Sequence, residues 1–392
     1  MYPERFGSLP AYAFPRLRAL LDDHPPGGEV VQMAIGEPQH PFPDWLGDVI
    51  AAEAAGFGRY PPNEGTPALR QAAAGYLERR YGVTLDPDAQ IMALNGTREG
   101  LYNAAMALLP SEKAGQRAAV LMPNPFYQVY MVAARSIGAE AVFVPATRET
   151  GFLPDFAALP EELLARTAAV YICSPANPQG AVADAVYWDR LLDLAEAHDF
   201  KILADECYAE IYRETPPTGA LEIAAAKGAD PERVVVFHSL SKRSNVPGLR
   251  SGVVAGGPES LARIKQLRAY SGAPLPLPIQ HASARLWEDD DHVEENRRLY
   301  RRKFALADEV LGDLPGYTAP EAGFFLWLET GDGEKAALRL WREAGVRALP
   351  GAYLAQDAEG GNPGAAYLRA ALVAPEAEVL RGLEAIRRVL ED

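Results

Sequence analysis

Val234-Val235-Val236-Phe237-His238 is an apolar, β-branched run that ends in Ser239-Leu240-Ser241-Lys242, and Pro247-Gly248-Leu249-Arg250 leads into a second run at Gly252–Ala255. Uncharged runs of this kind suit strands buried on both faces, as in a largely parallel sheet. The same texture recurs upstream at Gln90–Leu94, Ala118–Met122, Ala141–Pro145, Ala169–Cys173 and Lys201–Ala204. Between these runs, Thr97 to Leu109 and Tyr187 to His198 carry apolar residues at helical spacing. Strands alternating with helices predict an α/β fold, with a mostly parallel seven-stranded sheet flanked by helices. After Pro278 the texture changes: Gln280–Trp287 and Val293–Leu311 read as charged helices, and Phe324–Leu328 and Tyr367–Val373 as strands of a smaller unit. The expected division is a large domain over 44–285 and a small α+β domain made of 1–43 and 286–392.

Ligands of α/β sheets bind beyond the carboxyl ends of the strands, so the polar residues directly after each run matter most. Asn95-Gly96-Thr97-Arg98-Glu99 follows the first run as a glycine turn opening a helix, whose free N–H groups suit a phosphate. Ser174-Pro175-Ala176-Asn177-Pro178-Gln179-Gly180 follows the fourth, and Asp205-Glu206-Cys207-Tyr208 the fifth. Taken singly, these are an ordinary helix cap, a turn and an acidic loop. Ser239-Leu240-Ser241-Lys242 matches S-x-x-K, but neither S-D-N nor K-T-G occurs to support a penicillin-binding site. No lysine follows a glycine, which excludes a Walker A loop. Of Lys113, Lys201, Lys227, Lys242, Lys265, Lys303 and Lys335, only Lys242 stands just past a strand among hydroxyls.

An amine facing an aspartate, an asparagine and a tyrosine beside a phosphate turn is what a pyridoxal 5'-phosphate enzyme requires. The Schiff base needs the amine, the pyridine nitrogen needs a carboxylate to keep its proton, and the ring oxygen needs donors. Asn177-Pro178-x-Gly180, Asp205-x-x-Tyr208, Ser239-x-Ser241-Lys242 and Arg250, in this order, resemble the class I/II aminotransferases of the aspartate aminotransferase fold, fold type I. Ile35-Gly36-Glu37-Pro38, Tyr60 with Gly65, Leu69 and Arg70, and Tyr367-Leu368-Arg369 extend the resemblance over nearly the whole chain. Gln179 departs from the family's usual Thr. The segments Ser239–Gly252 and Pro123–Tyr130 are similar to those of bacterial N-succinyldiaminopimelate aminotransferases.

The resemblance implies a role for each residue. Lys242 is the Schiff-base lysine and proton carrier, Asp205 the partner of the ring nitrogen, and Asn177 and Tyr208 the partners of the ring hydroxyl. Tyr127 stacks on the ring, with a core or interface tyrosine as the plainer alternative. Gly96, Thr97, Ser239, Ser241 and Arg250 bind the phosphate. Arg369, with the backbone at Gly36, clamps the substrate α-carboxylate. Tyr60 reaches the phosphate of a neighbouring subunit, which implies a homodimer with shared sites. With 2-oxoglutarate as acceptor, Arg98 is the candidate for its second carboxylate. For the distal acid of an N-succinyl-LL-diaminopimelate donor, Arg18 and Arg243 are candidates.

Composition narrows the partners. The 392 residues are 48% hydrophobic and 23% charged, ordinary for a folded chain, and the formal net charge is −15. Such a charge disfavours nucleic acid and anionic lipid. Two cysteines and six histidines without H-E-x-x-H leave no disulfide framework and no expected metal site. The first residues lack a basic segment followed by an apolar run, and no stretch qualifies as a membrane span, so a cytoplasmic location is expected. Fewer than about 90 residues precede the first strand, too few for a winged helix and linker, which weighs against a transcription regulator. A β-lyase or decarboxylase on the same fold, or an aminotransferase for alanine, aspartate or aromatic amino acids, remains the alternative.

Overall fold

A computed structural model describes residues 4–7, 9–358 and 360–391. All seven expected strands form, shifted by no more than two residues at either end: β1 Ile91–Leu94, β2 Ala119–Asn124, β3 Glu140–Pro145, β4 Thr167–Cys173, β5 Lys201–Asp205, β6 Val234–Ser239 and β7 Gly252–Gly256. They make one sheet in the order β1-β7-β6-β5-β4-β2-β3. Strand β7 runs antiparallel to both its neighbours and the other pairs are parallel. The apolar runs are explained by burial, since every residue of β1, β2, β4, β6 and β7 is buried.

The connecting helices begin where the sequence provides a cap. In α1 (Pro67–Tyr81) the Thr66 side chain accepts from the Leu69 N–H and Pro67 sits in the first turn. In α2 (Thr97–Leu108) Gly96 is the N-cap. Helix α3 (Gln128–Ser136) follows β2, and α4 (Ala185–His198) is capped by Asp184, which accepts from the Tyr187 N–H. The two faces of the sheet carry separate apolar clusters. One holds Leu69, Leu77, Trp188, Leu192 and Trp287, the other Leu101, Tyr130, Met131 and Ile264.

A third cluster, around Tyr300, Phe304, Phe324, Leu326, Leu368 and Leu383, lies under a three-stranded antiparallel sheet. Its strands are β8 Phe325–Glu329, β9 Leu349–Pro350 and β10 Tyr367–Ala371, in the order β8-β10-β9. The expected charged helices are present as Leu277–Glu288 and Asp291–Leu311. The N-terminal segment packs on this part of the chain: Val31–Gln32 pairs in parallel with Val346–Arg347, and Leu17 and Leu21 meet Trp341, Leu349 and Tyr353. Cys173, Tyr208 and Ile211, at the ends of β4 and beyond β5, also belong to this third cluster. The carboxyl edge of the large sheet therefore faces the smaller unit.

Candidate active site

Sheet register brings the separate motifs to one place. Gly252 lies opposite both Leu94 and Ser239, and Asp205 opposite both Cys173 and Phe237. The antiparallel β7 thus delivers Arg250, just before its first residue, to the edge where the parallel strands deliver Gly96, Asp205 and Ser239. A cavity of about 410 Å³ opens there.

Lys242 sits on the short helix Leu240–Arg243, whose first turn is fixed by the Ser239 Oγ accepting from the Ser241 N–H at 3.1 Å. Its Nζ donates to the Gly36 carbonyl at 2.5 Å. Burial pulls the amine down to about 8, so far less base is needed to free it than for an exposed lysine. Asp205 is the last residue of β5 rather than the first of the following loop. One of its carboxylate oxygens accepts from the Tyr130 hydroxyl at 2.7 Å and the other from the Cys207 N–H at 3.3 Å. Burial raises the carboxyl, and the hydrogen bonds from Cys207 and Tyr130 oppose that rise. Tyr208 is buried edge-on against Phe324 and Phe325, and burial holds its hydroxyl protonated.

Arg369 extends from β10 into the same cavity. Its guanidinium donates to Asn177 Oδ1 at 3.1 Å and to the Ala34 carbonyl at 2.8 Å, and stacks over the Phe325 ring at 4.1 Å. Burial lowers it to about 10, and its Nε is buried without a partner. A buried guanidinium with an orphan N–H suits a carboxylate. On the other side, Gly96 has φ +82°, and a Cβ there would run into the Arg250 guanidinium. At this φ any other side chain is strained, and its Cβ would push the guanidinium aside. Arg250 Nη1 donates to the Pro247 carbonyl at 2.8 Å, and with the hydroxyls of Ser239, Ser241 and Thr97 it rims a pit suited to a phosphate. The buried carboxylate and the amine line the same cavity as these groups and Arg369. A flat, phosphorylated heteroaromatic carbonyl compound fits this donor set.

Tyr127 and Arg98 complete the wall, with Arg98 Nε donating to the Tyr127 hydroxyl at 2.9 Å. Gly36, Asn177, Thr97 and Tyr208 line the cavity as well. Tyr60 does not: it is fully exposed and outside it. Two expected cations are also elsewhere. Arg18 is exposed and does not line the cavity. Arg243 is buried and bound to the Leu286 carbonyl and to Asp290 Oδ1, both at 2.6 Å. On a helix the side chain one position beyond Lys242 points about 100° away, which turns Arg243 out of the site.

Sequence reasoning assigned no role to Tyr130 or Cys207. Tyr130 is wholly buried, stacked on Tyr171 at 4.6 Å with the rings 7° from parallel. Its ring also meets that of Tyr127, the extended N-cap of α3, edge-on at 5.7 Å. Cys207 Sγ lies 3.2 Å from Thr97 Oγ1 and lines the cavity. Among the described residues, no group of three His, Cys, Asp or Glu side chains is arranged to hold a metal, and no helix is long and apolar enough to cross a membrane.

Comparison with known proteins gives concordant matches. A model of the family described as aminotransferase class I and II matches residues 28–386. The LL-diaminopimelate aminotransferase of Dehalococcoides mccartyi (strain 195) is 32% identical over 393 residues, covering 97% of this chain and 96% of that one. An aminotransferase structure from Neisseria meningitidis superposes with a TM-score of 0.94 at 40% identity, covering 99% of each chain. A structure of a probable N-succinyldiaminopimelate aminotransferase from Thermus thermophilus has a TM-score of 0.85 at 28% identity, covering 96% of this chain and all of that one.

Proposed function

The chain belongs to the class I and II aminotransferases, which depend on pyridoxal phosphate, and we propose that its amino donor is N-succinyl-LL-diaminopimelate, its acceptor 2-oxoglutarate and its place lysine biosynthesis. The observation that carries the catalytic assignment is the convergence of Lys242, Asp205 and Arg369 on one cavity from three separate elements. The names of the Dehalococcoides and Thermus relatives support a diaminopimelate-type donor.

Pyridoxal phosphate, when bound, supplies a carbonyl carbon that carries the amino group and a ring that accepts electrons. Gly96, Thr97, Ser239, Ser241 and Arg250 hold the phosphate. Asp205 keeps a proton on the ring nitrogen, which the two hydrogen bonds that favour its charged form against burial equip it to do. Asn177 and Tyr208 donate to the ring oxygen, and Tyr127 covers the ring face. Arg369 holds the substrate α-carboxylate near Gly36 and so fixes which C–H bond faces Lys242. Lys242 Nζ takes the α-proton and returns it. Arg98 pairs the second carboxylate of 2-oxoglutarate.

Two units take part in this reading, a large domain over 44–285 and a small one from 1–43 and 286–392, with the substrate between them. The active form is a cytoplasmic homodimer in which Tyr60 completes the partner's phosphate site. The full exposure of that aromatic side chain supports this.

A donor panel tests the substrate. With a common oxoacid other than 2-oxoglutarate, kcat/KM for N-succinyl-LL-diaminopimelate is expected to exceed those for free LL-diaminopimelate, glutamate, aspartate, alanine and phenylalanine. A wide margin for alanine or an aromatic amino acid removes the lysine-pathway assignment and leaves the transaminase.

A further inference from the structure

Three polar side chains meet behind the Lys242 cavity without lining it: His40 of the N-terminal segment, Asn245 just past the short helix that carries Lys242, and Asn296 of the helix Asp291–Leu311. Asn245 and Asn296 are almost wholly buried. Asn296 Oδ1 accepts from Asn245 Nδ2 at 3.1 Å and from His40 Nδ1 at 2.7 Å, and Asn296 Nδ2 donates to the Lys242 carbonyl at 3.4 Å. Asn245 Nδ2 also reaches the Pro41 carbonyl at 3.2 Å. An amide oxygen cannot donate, so His40 carries its proton on Nδ1. Burial and the nearby Lys303 pull His40 down to about 4, which keeps it a neutral, fixed donor at neutral pH. His40 Nε2 and Asn245 Oδ1 are buried with no partner. Unpaired buried acceptors cost stability, so this cluster is better suited to fixing positions than to holding the fold together.

Both ends of one short segment are tied to the Lys242 region. At its start the Gly36 carbonyl accepts from Lys242 Nζ at 2.5 Å, and at its end His40 and Pro41 are bound to Asn296 and Asn245. Pro38 and Pro41 have fixed φ angles, so a shift at His40 is passed on to Gly36 rather than absorbed between them. Two residues before Gly36, the Ala34 carbonyl accepts from Arg369. We propose that His40, Asn245 and Asn296 are positioning residues for transfer of the α-proton, bracing segment 36–41 so that the Gly36 carbonyl and the Arg369 site keep a set distance from Lys242 Nζ. The inference rests on the aminotransferase site described above, none of whose assigned residues belongs to the brace.

The test compares three variants. His40→Phe keeps a ring against Tyr300, now at 4.4 Å, and removes the donor, whereas His40→Asn returns a donor close to the place of Nδ1. Asn245→Gly removes both side-chain ties at a residue whose φ of +56° glycine adopts freely. The first readout is a single turnover of cofactor-loaded enzyme with L-glutamate, followed by the visible absorbance of the cofactor. His40→Phe and Asn245→Gly are expected to slow it roughly ten- to hundredfold at saturation, the loss that a misplacement of about 1 Å can cause. Half-saturating glutamate should change little, the isotope effect of α-deuterated glutamate should grow, and His40→Asn should recover most of the rate. The second readout is the pH dependence of pyridoxal phosphate capture by the full chain freed of cofactor. Its midpoint is expected to fall by roughly half to one pH unit in His40→Phe and Asn245→Gly, because an ammonium that loses its acceptor gives up its proton more readily. Arg369, Arg250, Glu37 and Cys207, the groups whose charges act on Lys242, are untouched by these variants. A lower melting temperature with an unmoved midpoint and isotope effect overturns the brace, as does a His40→Asn variant no better than His40→Phe. A wild-type enzyme that does not react with glutamate removes 2-oxoglutarate from the proposed function, and the capture midpoint alone then decides the brace.

Discussion

Tyr130 shows how much one hydroxyl can decide. Asp205 is buried where its charged form is disfavoured, and the Tyr130 hydroxyl at 2.7 Å is one of two groups that stabilise the carboxylate. A hydrogen bond to a charged group contributes about 1.5–3 kcal/mol. Tyr130→Phe keeps the ring that stacks on Tyr171 and removes only the donor. Without it the carboxyl holds its proton to higher pH. The acidic limb of the kcat profile is therefore expected to move upward, with kcat lower by roughly ten- to hundredfold at neutral pH and KM for the donor nearly unchanged. Weaker cofactor retention, read by dialysis, accompanies this. An unmoved acidic limb would mean that Tyr130 only packs. Lys242, Asp205 and Arg250 were legible in sequence as candidates because the proposed chemistry dictates their residue types, and all three line the one cavity. Tyr130 was not, since a tyrosine next to an apolar helix face reads equally well as core.

At the scale of elements, the ends of β5 and β6 hold a second buried pair behind the site. Glu206 Oε2 lies 3.3 Å from His238 Nε2, and both side chains are almost fully buried. Burial raises Glu206 from 4.5 to about 7 and lowers His238 from 6.5 to about 3. The signs oppose each other. Between about pH 4.5 and 7 the folded state holds the Glu206 proton more tightly than the unfolded chain, so this group's contribution to stability falls as pH rises. Between about pH 3 and 6.5 the unfolded chain binds the His238 proton more readily, so that contribution rises with pH. Glu206→Gln removes the falling part and keeps an oxygen for the Ala220 N–H, now held at 2.8 Å. Thermal unfolding should therefore show the variant gaining on the wild type between pH 4.5 and pH 8. A constant difference would show that Glu206 is already ionised in the fold. The seven strands were readable from their apolar runs because burial on both faces demands such runs. The partnership of Glu206 with His238 depends on β5 and β6 being neighbours in register, which no local pattern records.

At the scale of the molecule, Tyr60 is fully exposed and lies outside the cavity lined by Lys242, Asp205 and Arg250. If it completes the partner's site, two inactive subunits can complement one another. Tyr60→Phe and Lys242→Ala homodimers are each expected to be impaired, the second to background. A purified heterodimer has one site with Lys242 from one subunit and Tyr60 from the other, so it should recover about half of the wild-type rate. Recovery of nothing would end the shared-site proposal, and a monomeric mass would end the homodimer with it.

What the sequence by itself determined was the α/β class, the positions of the strands and the chemical types at their carboxyl ends, because each of these is a local demand of burial or of reaction chemistry. The tertiary structure alone decided which of those residues meet. Antiparallel β7 carries Arg250 back to Gly96, helical rotation turns Arg243 away from Lys242, and the packing of the third apolar cluster against the sheet edge brings Arg369 to Asn177. These are consequences of contacts between residues far apart in the chain, and side-chain direction in such contacts is set by the neighbours that packing supplies.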